Sequence, residues 1–185
     1  TKLIACLHGS NVLGCILDIE RVAAIAKKHG VYFLVDSAQT AGTLPIYPEK
    51  MGIDFLAFPG HKGLYGPMGI GGLYVRDGIV LDTLMEGGTG SNSLEATQPE
   101  MMPDRLESGT VNTPGIAGLG AGVDFLSAIG IEQVLAHELA LTQCLYEELG
   151  EIPGVCLYGP DCQSLRLPVV SFCLQGKDSN EVAWA

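Results

Sequence analysis

Val31-Tyr32-Phe33-Leu34-Val35-Asp36 and Asp54-Phe55-Leu56-Ala57-Phe58-Pro59-Gly60-His61-Lys62 decide the fold. Each holds a short strand built on consecutive apolar residues, Val31 to Val35 and Asp54 to Phe58 (apolar after the leading Asp54), and ends abruptly in charged or turn-forming residues. Apolar residues at consecutive rather than alternate positions describe a buried strand, the pattern of a parallel sheet covered on both faces. Leu3 to Leu7 reads the same way, and Gly72 to Val75 supplies a fourth strand. Between the first two, Asp18 is placed to cap a helix through Lys28, with Ile19, Val22, Ala23 and Ala26 on one face and His29-Gly30 as the stop. Strands alternating with helices predict an α/β fold, a mostly parallel sheet with flanking helices.

Further along, from Glu86 to Asn112, Gly, Ser, Thr, Pro and acidic residues replace the periodic pattern. A loop of that length in a compact domain is usually functional or sits at an interface. Gly115 to Ala128 and Ile131 to Leu149 then read as two helices. After Pro153, Val155 to Tyr158 and Val169 to Leu174 read as strands of a new unit. Ser179 to Ala185 reads as the opening turns of a helix capped by Ser179 or Asp178. The chain opens on what reads as an interior strand and stops inside that helix, so both ends of a longer polypeptide are expected to be missing.

The 185 residues carry a net charge of −11. Nucleic acid and anionic membrane both require a basic face, so neither is expected as a partner. No apolar run approaches the roughly 20 residues that span a bilayer. Thr1 to Leu7 is too short and too soon interrupted for a secretory signal, and a cytoplasmic location is expected. None of the six cysteines is paired at C-x-x-C spacing, and no Cys/His cluster repeats at zinc-ligand spacing, so no metal is expected. Cys6, Cys156 and Cys173 lie in apolar strand contexts, where cysteine usually serves as a small hydrophobe.

In parallel sheets, ligands bind beyond the carboxyl ends of the strands. His8, Asn11, Asp36, Gln39, His61 and Lys62 all follow strand ends and so can converge in one crevice. An internal lysine can condense with an aldehyde cofactor, and a buried carboxylate facing a pyridine nitrogen keeps that nitrogen protonated. By spacing alone, a lysine after a strand is more often a surface residue, and an aspartate there more often a turn or helix cap. Asn11 taken alone is a turn former, Gln39 and Thr110 are loop polars, and His61 is a packed histidine. Gly66-Pro67-Met68-Gly69-Ile70-Gly71-Gly72 has the wrong order for a phosphate-cradling loop and does not open a helix; it predicts a tight turn beside Lys62.

Four ordered segments change that balance. His8-Gly9-Ser10-Asn11-Val12-Leu13-Gly14, Val35-Asp36-Ser37-Ala38-Gln39, Gly60-His61-Lys62-Gly63-Leu64-Tyr65-Gly66-Pro67 and Arg105-Leu106-Glu107-Ser108-Gly109-Thr110-Val111-Asn112-Thr113 occur in that order. Together they resemble the class V aminotransferases, in the cysteine desulfurase and selenocysteine lyase branch of the fold-type I pyridoxal-5′-phosphate (PLP) enzymes. The resemblance covers nearly the whole chain. It implies that Lys62 carries the cofactor as a Schiff base and shuttles the substrate Cα proton, and that Asp36 pairs with the pyridinium nitrogen. It implies further that Asn11 and Gln39 lie near the cofactor's phenolic oxygen and His61 near its phosphate. Thr110 would reach the phosphate of a neighbouring subunit's cofactor in a homodimer with shared sites. The division it suggests is 1–114 as the C-terminal part of the large PLP-binding domain, 115–150 as connecting helices, and 151–185 as the beginning of a small α+β C-terminal domain.

The implied activity is removal of sulfur from cysteine to give alanine, with a sulfur-acceptor protein as a further partner. The alternatives are a class V aminotransferase or other PLP lyase acting on another small amino acid, or a non-catalytic fragment of such an enzyme. A generic nucleotide-binding domain would need a Gly-rich loop opening a helix directly after a strand, and no segment fits. The chain departs from the family pattern at Pro59, where Ser or Thr is usual; proline offers neither a hydroxyl nor an N–H, so one phosphate donor is missing. The family's upstream phosphate loop, its downstream substrate-carboxylate arginine and the desulfurase nucleophilic cysteine have no counterpart here, and none of the six cysteines present is assigned that role.

Overall fold

The computed structural model of the chain describes residues 1–91, 97–162 and 164–185; positions 92–96 of the long polar loop lie outside it. Strands β1 (Leu3–Leu7), β2 (Tyr32–Asp36), β3 (Phe55–Pro59) and β4 (Gly71–Val75) form one sheet in that spatial order. β1 and β2 pair in parallel, as do β2 and β3, whereas β4 runs antiparallel to β3. The mostly parallel sheet is therefore present, with one reversed strand at its edge. Residues 60–70 form only a compact turn, and a parallel return needs a longer crossover, usually a helix.

Helix α1 (Ile19–His29) begins where the Asp18 carboxylate accepts the Arg21 N–H at 3.0 Å. It ends at Gly30, whose φ of 62° lets its N–H reach back to the carbonyls of Ala26 and Lys27. Val31 donates its N–H to Ala26 as well, at 3.1 Å, so β2 begins at Tyr32, one residue later than the apolar run predicts. Ile19, Ala23 and Ala26 pack on Phe33, Val35, Ile53 and Leu56 to form the core. Phe33, Val35 and Ile53 are fully buried, each contributing roughly 1.5–3 kcal/mol through lost apolar exposure. α1 covers only one face, however. At the sheet edge β1 alternates exposed and half-buried residues, so its apolar character exceeds its burial in this chain.

Helix α2 (Thr113–Ile129) starts two residues before the expected position because Asn112 caps it, accepting the Gly115 N–H at 3.0 Å. Helix α3 (Ile131–Gly150) follows after an 81° bend at Gly130. Among the described residues, no single helix is long and apolar enough to cross a membrane. Strands β5 (Val155–Tyr158) and β6 (Ser171–Leu174) form a separate antiparallel pair. β6 starts later than the apolar run from Val169 predicts, since Val169 is held in a loop: its N–H bonds Leu167 at 2.7 Å and its carbonyl accepts from Arg166. Arg166 is buried, stacks on Tyr146 of α3 at 5.3 Å and also donates to the Pro160 carbonyl. Helix α4 (Ser179–Ala183) is capped by Asp178, which accepts the Asn180 N–H at 2.9 Å.

Candidate active site at the carboxyl edge of the sheet

Because β1, β2 and β3 are parallel, the loops that leave them emerge along one edge. The ladder continues a step beyond the strands: the backbone N–H of His8 donates to the Asp36 backbone carbonyl at 2.8 Å, and that of Ser37 to the Ala57 carbonyl at 2.9 Å. Beneath the loops lies a buried polar layer. The His8 ring Nδ1 is 3.0 Å from the Thr40 hydroxyl, and the Ser37 hydroxyl donates to the Ala57 carbonyl at 3.0 Å. Ser37 and Thr40 are fully buried and His8 is only 5% exposed, so each polar group has to find its partner inside the protein. The sequence pattern expects His8 to converge with the other strand-end residues in the crevice. The structure turns it inward as a support for the Asp36–Thr40 turn.

Burial pushes the His8 pKa below its ordinary 6.5. The unfolded chain then binds a proton that the folded one refuses. The stability tied to neutral His8 is complete above pH 6.5 and is lost as pH falls from there towards the lower folded value. Burial of Glu138 raises its carboxyl pKa, which makes stability fall as pH rises above 4.5 and so opposes His8 at lower pH. A wild-type minus His8→Gln comparison isolates the histidine: the melting temperature of the wild type should drop more steeply between pH 6.5 and 5. Parallel slopes in the two proteins would show that His8 does not titrate in this way.

The turn carrying Lys62 is closed by its own backbone. Gly60 donates to Ile70 and Gly66 donates to Gly60, both at 2.8 Å, and Tyr65 donates to Lys62 at 2.9 Å. This is the tight turn expected beside the lysine. It lies directly against the loop after β2: a Cβ on Gly42 would fall 2.1 Å from the Gly63 carbonyl oxygen, and one on Gly63 would fall 2.6 Å from that of Ala41. Gly42 also has a φ of +85°, a conformation that L side chains rarely adopt. On its other side the turn meets α2, where a Cβ on Gly122 would come within 2.3 Å of the Leu64 carbonyl oxygen. The segments bearing Asp36 and Lys62 are thereby locked together through backbone contact. Gly42→Ala is expected to separate them, lowering cofactor affinity by about tenfold or more, or ~1.4 kcal/mol. Equilibrium binding of PLP would reveal it, and unchanged affinity would show that the contact does not matter.

The side chains at this edge remain available. Asp36, His61 and Lys62 are exposed and Gln39 is half-buried. One Asp36 oxygen accepts the Ala38 N–H at 2.9 Å, which orients the carboxylate. Among the described residues the one ion pair joins Arg76 to Asp54 at 2.6 Å, so Asp36 and Lys62 are not spent on each other. Asn11 is exposed on the loop after β1, which leans towards the last unit: Leu167 donates to Gly14 at 2.8 Å and the Ser171 hydroxyl donates to the Val12 carbonyl. Thr110 is exposed on the segment entering α2, anchored by the Gly109 N–H on Gly87 at 2.8 Å. Asp36, Gln39, His61 and Lys62 thus share one edge with Asn11 beside them, while Thr110 stands on a separate loop.

Pro59 fits its position for a reason the sequence conceals. It ends β3, and the neighbouring bond from Gly60 to Ile70, the residue before β4, leaves the Pro59 nitrogen facing β2. There the Ser37 carbonyl already accepts the N–H groups of Thr40 at 2.9 Å and Ala41 at 2.8 Å. A residue with no N–H at 59 leaves no ladder bond unmade.

The model of the family described as aminotransferase class-V matches residues 1–185. The chain belongs to the class-V aminotransferase family. Within that family, the chain is 36% identical to a cysteine desulfurase of Salmonella agona over 98% of its own length and 45% of that protein's. A cysteine desulfurase structure from Thermococcus onnurineus superposes with a TM-score of 0.85 at 37% identity, covering 99% of this chain and 46% of that one. One from Escherichia coli gives a TM-score of 0.86 at 29% identity, covering 97% and 45%. This class-V chain therefore spans less than half the length of the relatives it matches.

Proposed function

We propose that this chain forms the lysine-bearing part of the active site of a PLP-dependent cysteine desulfurase, which takes sulfur from cysteine and leaves alanine. The observation that carries the reading is the Gly42–Gly63 contact, which ties the Asp36 segment to the Lys62 turn at the carboxyl edge of a parallel sheet. Two exposed, unpaired groups of opposite charge on rigidly joined loops suit a flat heterocycle held between an amine and a carboxylate. PLP, when bound, supplies an electron sink for the charge that develops at the substrate Cα.

The remaining work belongs to the protein. Lys62 Nζ would hold the cofactor and would take and return the substrate Cα proton. Asp36 accepts the ring N–H, with its carboxylate oriented by the Ala38 N–H. Asn11 and Gln39 bind at the phenolic oxygen side and His61 at the phosphate. Thr110 is assigned to the phosphate in a partner subunit of a homodimer. In this reading 1–114 belong to the large domain, 115–150 connect, and 151–185 open the small domain of a cytoplasmic enzyme that passes its sulfur to an acceptor protein.

The test is product analysis with the complete polypeptide, PLP, L-cysteine and a thiol reductant. Alanine and sulfide released in equal amounts are expected. A keto acid product with no sulfide would instead assign the chain to a transaminating member of the family.

A further inference from the structure

We propose that Cys156 and Cys173 form a redox modification site, a pair of thiols that a hydroperoxide converts to a disulfide across β5 and β6. The two residues are direct cross-strand partners in the antiparallel pair. Gln175 donates its N–H to Gly154 at 2.8 Å, which makes 154 and 175 a hydrogen-bonded pair; alternation along the ladder makes 156 and 173 another. The Cα atoms of such a pair are about 5.5 Å apart, within the roughly 4.4–6.8 Å that a disulfide spans. Directly opposite residues also project from the same face, so both thiols lie on one side of the ladder, and the strands need only draw together by about an ångström to bring the Cβ atoms from about 5.5 Å into the roughly 3.5–4.5 Å that a disulfide spans.

The surroundings divide the two roles. Cys156 is exposed and Cys173 is half-buried, and both are free thiols. The Tyr158 hydroxyl, two residues along β5 on the same face, lies 3.3 Å from Cys173 Sγ and fixes its position. The hydrogen bond to Cys173, and then the nearness of both cysteines, pushes the Tyr158 pKa up, so the phenol stays protonated beside them. No other pair among the six cysteines shares a strand register.

The chemistry balances with the hydroperoxide as the sole oxidant. The Cys156 sulfur attacks the O–O bond, forming a sulfenic acid and releasing water (or an alcohol from an organic peroxide). The Cys173 sulfur then attacks the sulfenyl sulfur, the S–O bond breaks, and a second water leaves with the thiol proton. Two thiols lose two electrons in all, and the peroxide oxygens gain them. The new bond would close the chain between residues 156 and 173, which carries the Leu167 and Ser171 contacts to the loop bearing Asn11.

The test is peptide mapping of the native protein after a small excess of hydrogen peroxide, with free thiols alkylated and no reductant in the digest. A linked peptide pair joining Cys156 to Cys173 should be the main oxidised species and should disappear with dithiothreitol. Cys173→Ser should instead leave a sulfenic acid on Cys156 that a dimedone probe traps at least tenfold more than in the wild type. Both cysteines remaining alkylatable, or crosslinks spread evenly over other cysteines, would overturn the proposal. So would equal dimedone capture in wild type and variant.

Discussion

Lys62→Ala is expected to abolish turnover and to leave the protein unable to hold PLP covalently. One side chain is asked to carry the cofactor and to move the Cα proton. General acid–base work alone contributes about 10²–10⁴-fold, so the combined loss should reach at least ~10⁴-fold. The fold should survive, because Lys62 is exposed and the turn around it is closed by backbone bonds of residues 60, 65, 66 and 70. The visible absorbance that develops when wild-type protein takes up PLP should be missing in the variant, with the melting temperature of the cofactor-free protein unchanged. A variant that still colours and turns over would show that another amine does this work.

The second large effect is expected from Asp36→Asn. Asparagine keeps an oxygen for the Ala38 N–H, so the turn that orients residue 36 should stay intact. What is lost is the negative charge proposed to hold a proton on the ring nitrogen. Cofactor should still bind, but kcat should fall by about a hundredfold or more, ~2.7 kcal/mol on the barrier. Loss in kcat with binding largely retained separates this role from a structural one. A near-normal rate would place the carboxylate away from the ring.

Much of this edge was legible in the sequence because it depends on short-range signals. The abrupt change from Val35 to Asp36 and from Phe58 to Pro59-Gly60 marks where strands stop, and stopping points of parallel strands fall on one side. Asp18 and Gly30 read as caps because each satisfies helix-end groups within a few residues of itself. What could not be read depends on contacts between distant segments. Nothing local to Gly42 shows that Gly63 will sit against it, and nothing local to His8 shows that Thr40 is its partner. The late start of β6 follows from Arg166, which takes up the Val169 carbonyl. That Pro59 costs the sheet no ladder bond is seen only when Ser37 is found with its carbonyl already engaged.

The most direct test of the account is borohydride reduction of the PLP-loaded protein followed by mass spectrometry of its peptides. The pyridoxyl phosphate mass should be fixed to Lys62, and Asp36→Asn should keep it there. Label on Lys50 or any other lysine, or none at all in protein that has demonstrably bound PLP, would contradict it.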